Sequence, residues 1–257
     1  MILIGEKINV GIQAVQWAVA ERDASFIDDL IDRQTRAGCH YLDLHAGCGN
    51  EPGRRVADDL KWLIDRALIA GQQPLCLDCP DPEILRRAAA HLAGRRRLLL
   101  NSLTAAPARL EAMLDLAMAH NAGVIALAMD DQGVPPNVCR RLEMCEQIYR
   151  RAADAGLPPD RLYFDAIVQP LTANPEGAAV TLETIASLRR HFPAAETVIG
   201  LSNISYGMVK RRTVNRVFAA MAVAHGVGAM ILDPTDMALQ TVIHTAAQLA
   251  GGERRSL

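Results

Sequence analysis

Short apolar runs alternate with longer amphipathic stretches along this chain, and the alternation predicts a repeating strand–helix unit. The runs are Ile2–Ile4, Tyr41–Leu44, Leu75–Leu77, Leu98–Leu100, Val124–Leu127, Leu162–Phe164, Thr197–Ile199 and Ala229–Leu232. Six of them follow a helical stretch that ends in a glycine, namely Gly38, Gly71, Gly94, Gly123, Gly156 or Gly226. Glycine just past a helix supplies the left-handed residue of its cap. Uniformly apolar runs suit strands covered by helices on both faces. Between the runs, Phe26, Ile27, Leu30 and Ile31 keep helical spacing behind Ser25, read as an N-cap. Asp81 reads as an N-cap with Pro82 at the first helical position, ahead of Ile84, Leu85, Ala88 and Ala89. Thr235 is placed to cap a last helix over Met237–Leu249.

The unit recurs about every 25–35 residues, the size of a strand plus its crossover helix. About eight such units in 257 residues, with no Ser/Gly linker or charge block between them, point to an α/β chain folded as a single-domain (β/α)8 TIM barrel over residues 1–257. An open doubly wound sheet would want a glycine-rich first turn, and the segment Gly5–Asn9 is not one. Composition narrows the partners. The 27 basic and 29 acidic residues leave a formal charge of −2, and only 4% of residues are aromatic, so neither a bulk basic surface nor a stacking platform for nucleic acid is present. No apolar run approaches the roughly 20 residues that span a bilayer. Met1–Lys7 turns polar after Ile4 and lacks the apolar core of a signal peptide, so a cytoplasmic enzyme is expected. The six cysteines are dispersed. Cys76 and Cys79 form a C-x-x-C, but on a strand residues three apart face opposite ways, and no second such pair accompanies them. A zinc set drawn from His45, Cys48 and Cys79 would rest on proximity alone. Reduced structural thiols and no metal are expected.

In a (β/α)8 barrel the active site is built where strands end, and polar residues concentrate there. The first strand exits into Glu6 and Asn9, and the second holds Asp43 and exits into His45. The next exits carry Asp78, Asn101–Ser102, Asp130–Asp131, Asp165, Ser202–Asn203 and Asp233. Asp or Asn after a strand often only caps the next helix. Asp233, followed by Pro234 and Thr235, fits that reading and is set aside. Asp78 and Asp165 fit it poorly, because Cys79–Asp81 and Ala166–Val168 intervene before any helix. The apolar loop after Asp165 reads as a ligand-facing wall. Of the lysines, Lys7, Lys61 and Lys210, only Lys7 lies near a strand exit, so Schiff-base chemistry is not favoured. The loop Leu201–Gly207 lacks the glycine density of a phosphate cradle. A neutral heterocycle with adjacent N–H donors suits buried carboxylates better, since one carboxylate accepts two of them.

Gly5–Asn9, Leu42–Leu44, Leu75–Asp78, Asn101–Ser102, Tyr163–Asp165 and Gly200–Ser205 together resemble the pterin-binding methyltransferases, relatives of dihydropteroate synthase. The resemblance is strongest to methyltetrahydrofolate:corrinoid protein methyltransferases. It runs in order over nearly the whole chain, and its most specific part is Gly200–Ser205 followed by Arg211, Asn215 and Arg216. It implies that Asp78, Asn101 and Asp165 hold the pterin, with Gly200 and Ser202 as neighbours. It also implies that Asn203 reaches N5, the nitrogen carrying the methyl group, as the catalytic residue. Glu6, Asn9, Asp43, His45 and Asp130 are further candidates for the pocket. Lys210 and Arg211 are candidates for meeting the acidic folate tail or a partner.

Two positions depart from the pattern. His45 stands where Asn is frequent, and Asp130–Asp131 stand where an Asn is common. The substrate implied is tetrahydrofolate or 5-methyltetrahydrofolate. The methyl acceptor or donor implied is the reduced cobalt of a corrinoid (cobalamin) on a partner protein, and a homodimer is the family expectation. A dihydropteroate synthase-like enzyme and a non-catalytic pterin-binding subunit are the alternatives. The first should add a lysine at the Ser202–Ser205 loop, which this chain lacks.

Overall fold

The computed structural model describes residues 1–47 and 53–251. In chain order the elements are β1 (Ile2–Asn9), α1 (Gln13–Ala20), α2 (Ala24–Arg36), β2 (Tyr41–His45), α3 (Gly53–Ala70), β3 (Leu75–Asp78), α4 (Pro82–Leu92), β4 (Leu98–Leu103), α5 (Pro107–Ala119), β5 (Gly123–Leu127), α6 (Val138–Asp154), β6 (Leu162–Asp165), α7 (Gly177–His191), β7 (Glu196–Gly200), α8 (Arg211–Ala224), β8 (Ala229–Leu232) and α9 (Met237–Leu249). The strands pair in sequence order, each parallel to the next, and β8 closes on β1: a (β/α)8 barrel.

Period-two alternation splits each strand between two apolar layers. Ile4, Tyr41, Cys76, Leu99, Ile125, Tyr163, Val198 and Ala229, one from each strand, fill the barrel interior. Their chain neighbours, such as Leu42, Leu77, Leu100, Val124, Phe164 and Ile199, belong to the larger layer between sheet and helices. Cys76 and Cys79 fall in different layers, the interior and the outer one, as strand alternation predicted. Cys39, Cys76, Cys79, Cys139 and Cys145 are free thiols, and Cys48 lies outside the described residues.

The helix ends depart from the sequence reading in four places, one of them Gly71 before β3, which is not left-handed. Asp23, not Ser25, is the cap of α2: its carboxylate accepts from Phe26 N at 3.1 Å, and the Ser25 hydroxyl donates to Asp23 instead. Asp236, not Thr235, caps α9 by accepting from Leu239 N at 3.1 Å, while Thr235 donates to Asp233. In both pairs the carboxylate outcompetes the hydroxyl as an acceptor. Before β5 the left-handed residue is Asn121 (φ 53°), and Gly123 already belongs to the strand. A Cβ there would meet Arg161 O at 3.3 Å and Leu99 Cδ1 at 3.1 Å, so close packing rather than turn geometry calls for glycine.

Candidate functional site

Two residues beyond the interior apolar layer, each strand again points inward, now at the mouth of the barrel. The residues at those positions are Glu6, Asp43, Asp78, Asn101, Leu127, Asp165, Gly200 and Ile231. Five of the eight are polar, in a fold whose interior is otherwise apolar. Barrel closure thus brings Asp78 and Asp165 to one shared end, together with four other residues singled out from the sequence.

The second and third strands form a tight cluster. His45, Asp78 and Asn101 stand side by side in register. His45 Nδ1 lies 3.1 Å from Asp78 Oδ2 and 3.2 Å from the Asp78 carbonyl. Burial alone would lower the imidazole's proton affinity, but the Asp78 carboxylate, helped by Asp43, more than offsets this and raises it. Asp43 is buried, and its Oδ1 has no partner among the described residues. Burial first, then the charge of Asp78, pushes its carboxyl up to about 8, against the opposing pull of Cys76 and His45. Asp43 is thereby held toward its protonated form, in which it can donate where its neighbours accept.

Asp165 ends β6 and is also buried. Burial pushes its carboxyl up to about 6, while the Ile167 N–H at 2.7 Å and the Arg141 guanidinium restrain it. The bond to Ile167 requires a sharp turn, and Ile167 takes φ +57°. A β-branched residue in that region costs roughly 1–3 kcal/mol, which the surroundings must offset. The loop is not the ligand-facing wall that its composition suggested. Ala166 and Val168 belong to the outer apolar layer and Ile167 packs against it. A loop leaving the strand on its outer face turns its apolar side chains toward the helices.

On the opposite side, β1, β7 and β8 border an open cleft of about 700 Å³. Glu6, Asn9, Ser202, Asn203 and Arg211 line it, as do Lys7 and Asp233. The Ser202 hydroxyl donates to Glu6 Oε2 at 2.8 Å. Burial nevertheless raises the Glu6 carboxyl, with Ser202, Lys7 and Arg211 opposing and Asp233 adding to the effect. Asn203 is exposed and lies against Gly200, where a Cβ would stand 2.9 Å from its Nδ2. Gly200 thus leaves room for that amide to move. Arg211 donates from Nε to Ser205 Oγ at 3.1 Å and from Nη2 to Ser202 O at 3.0 Å, so it braces the Leu201–Ser205 turn. Lys210 is exposed and does not line the cleft. Asp130 closes the turn after β5 by accepting from Gln132 N at 2.8 Å, also away from the cleft. Lys7 and Asp233, 3.3 Å apart, are cleft residues that the sequence reading passed over. Asp233 does not cap the next helix as its place suggested, since Asp236 does; Asp233 accepts from Thr235 N and faces the cleft. Its strand-end position was the signal. Among the described residues, no group of three His, Cys, Asp or Glu side chains is set to hold a metal ion.

The barrel superposes on a dihydropteroate synthase from Coxiella burnetii solved with pteroic acid, with a TM-score of 0.70 over 98% of this chain and 94% of that one, at 16% identity. A dihydropteroate synthase from Yersinia pestis aligns with a TM-score of 0.66 over 96% and 94%, at 17% identity. In sequence the chain is 30% identical to a methylcorrinoid:tetrahydrofolate methyltransferase of Eubacterium limosum over 256 residues, covering 99% of this chain and 93% of that protein. It is 29% identical over 231 residues to the methionine synthase of Mycobacterium leprae, covering 85% of this chain and only 19% of that longer protein. A model of the family described as "Pterin binding enzyme" matches residues 19–233, from within α1 to the residue after β8. That span takes in most of the polar layer at the mouth, and with it this chain belongs to the family of pterin-binding enzymes.

Proposed function

We propose that the protein transfers a methyl group between N5 of tetrahydrofolate and the cobalt of a corrinoid carried by a partner protein. The observation that carries this reading is the near full-length similarity to a methylcorrinoid:tetrahydrofolate methyltransferase. The mouth chemistry agrees with it. Asp78 and Asp165 accept the adjacent N–H groups of the pterin, and Asn101 offers both a donor and an acceptor beside Asp78. Asp43, which burial holds toward its protonated form, adds a donor to the same arc. The pterin thus meets a fixed set of polar groups above an apolar floor.

Cleaving the N5–methyl bond is difficult unless the nitrogen leaves as a neutral amine. N5 takes the required proton from solvent, and Asn203 follows the change of charge there, because its amide offers either a donor or an acceptor after a small swing. It needs no net charge of its own to do so. The reduced corrinoid supplies the nucleophilic metal, and this chain's part is to hold the folate and stabilise N5. The cleft beside Asn203 is open, as access for a large macrocycle demands.

The test is spectroscopic. Purified protein mixed with 5-methyltetrahydrofolate and Co(I) cobalamin should consume the Co(I) absorbance and produce methylcobalamin. Folate binding with no transfer in either direction would mark a non-catalytic subunit. Condensation of a dihydropterin diphosphate with aminobenzoate would instead mark a synthase.

A further inference from the structure

A guanidinium lies in the interior with no carboxylate in contact among the described residues. Arg141, in α6, is 0% exposed. Its Nε donates to Pro135 O at 3.1 Å, and its Nη1 donates to Ala166 O at 2.6 Å and to Ile167 O at 3.0 Å. Its Nη2 reaches Gln169 Oε1 at 3.4 Å. Among the described residues, every one of these acceptors is neutral. A buried charge held only by dipoles is costly, so such an arrangement calls for a compensating role.

That role is visible in a single peptide group. Arg141 donates to the oxygen of the peptide joining Ala166 and Ile167, and the N–H of that same peptide donates to Asp165 Oδ1 at 2.7 Å. A donor on the oxygen polarises the peptide and strengthens what its N–H gives. The next carbonyl, Ile167 O, is held by both Arg141 and the Thr181 hydroxyl, at 3.0 Å each. These bonds clamp Ile167 in its left-handed conformation. Asp165 Oδ2 accepts no hydrogen bond among the described residues.

We propose that Arg141 is a positioning residue: through the Ala166–Ile167 peptide it fixes Oδ1 of Asp165 and leaves Oδ2 directed at the pterin. The proposal rests on the reading of Asp165 as a pterin-holding group. Among the described residues the other ionisable group facing Asp165 is Cys145, also from α6, which burial keeps as a neutral thiol. Across the sheet its register partners, Leu127 and Val198, are apolar. Arg141 is then the cation that holds the carboxyl down against burial.

Tetrahydrofolate binding is followed by fluorescence titration as a function of pH in wild type, Arg141→Gln, Arg141→Lys and Thr181→Val. Wild-type affinity should fall off below about pH 6 as Asp165 takes up a proton. Arg141→Gln should weaken plateau binding by about 10-fold or more and move the acid limb toward neutral pH. Arg141→Lys keeps the charge but loses the fork, so it should weaken the plateau with the limb in place. Thr181→Val should behave like Arg141→Lys, more mildly. A folded Arg141→Gln with wild-type plateau and limb overturns the proposal. If that variant does not fold, wild-type binding by Arg141→Lys overturns it. Carboxyl carbon NMR of Asp165 in the ligand-free protein gives an independent arm. Should wild type fail to bind tetrahydrofolate, the proposed function falls, and the NMR titration alone decides. An Asp165 midpoint that Arg141→Gln leaves unmoved would then refute the role of Arg141.

Discussion

In the proposed reaction Asp165 and Asn203 divide the chemistry between holding and reacting. Replacing Asp165 with Asn keeps the shape but exchanges a two-acceptor group for one acceptor and one donor. Folate affinity should fall about 10- to 100-fold, or roughly 1.4–2.8 kcal/mol. Unchanged binding in a fluorescence titration would remove Asp165 from the site. Asn203→Ala should lower kcat more than it raises KM, because its contact strengthens as charge changes at N5. Steady-state kinetics in which KM alone moves would make Asn203 a binding residue. The place of Asp165 at the barrel mouth was legible from the chain because it ends an apolar strand with no helix directly after it, whereas Asn203 lies in the turn beyond β7 and is singled out by the family resemblance. The cleft position of Asp233 was not legible. Its turn bond to Thr235 is a sufficient local explanation, and only barrel closure sets it 3.3 Å from Lys7.

Helix starts and strand exits follow different rules in this barrel. The helices are set by local chemistry, and Asp81 behaves as its sequence predicts, accepting from Glu83 N at 2.8 Å ahead of Pro82. Asp236 has two functions at the start of α9. Besides capping Leu239 N, it pairs with Arg216 of α8, the two shortest approaches being 2.7 and 3.0 Å. It therefore locks the last two helices together beside the cleft, and Asp236→Ala should cost about 1–2 kcal/mol in urea denaturation. A loss below a few tenths would show the cap to be replaced by water. The turn after β7 shows the other rule. Arg211, a candidate for reaching a ligand tail or partner, lines the cleft and also braces this turn through Ser202 O and Ser205 Oγ. Sequence spacing shows that an arginine follows the turn, but not that the chain doubles back beneath it.

A ring of acids at one end of a closed sheet has a consequence for the stability of the entire barrel. Burial and the neighbouring Asp78 push the Asp43 carboxyl well above an ordinary carboxylate, up to about 8. Between its unfolded value and about 8 the native state holds a proton that the unfolded chain has released, so stability falls as pH rises through that window. The melting temperature of wild type should drop from mildly acidic to mildly alkaline pH, and Asp43→Asn should flatten that drop. Parallel curves for the two proteins would show that Asp43 is not the source. The barrel itself was readable without coordinates. All eight strands contain the apolar runs, because strands covered on both faces are largely apolar, although β1 runs on through Gly5–Asn9 and β4 through Asn101–Leu103, which read as exits. So was the polar character of the strand ends. Partnership was beyond the chain's reach: which acid sits beside His45, which arginine holds a loop, and which aspartate faces a cleft. Hydrophobic periodicity is a local property, written every two or four residues and legible in any window. Pairing between a side chain of α6 and a peptide after β6 depends on closure of the whole barrel, and no window of sequence contains it.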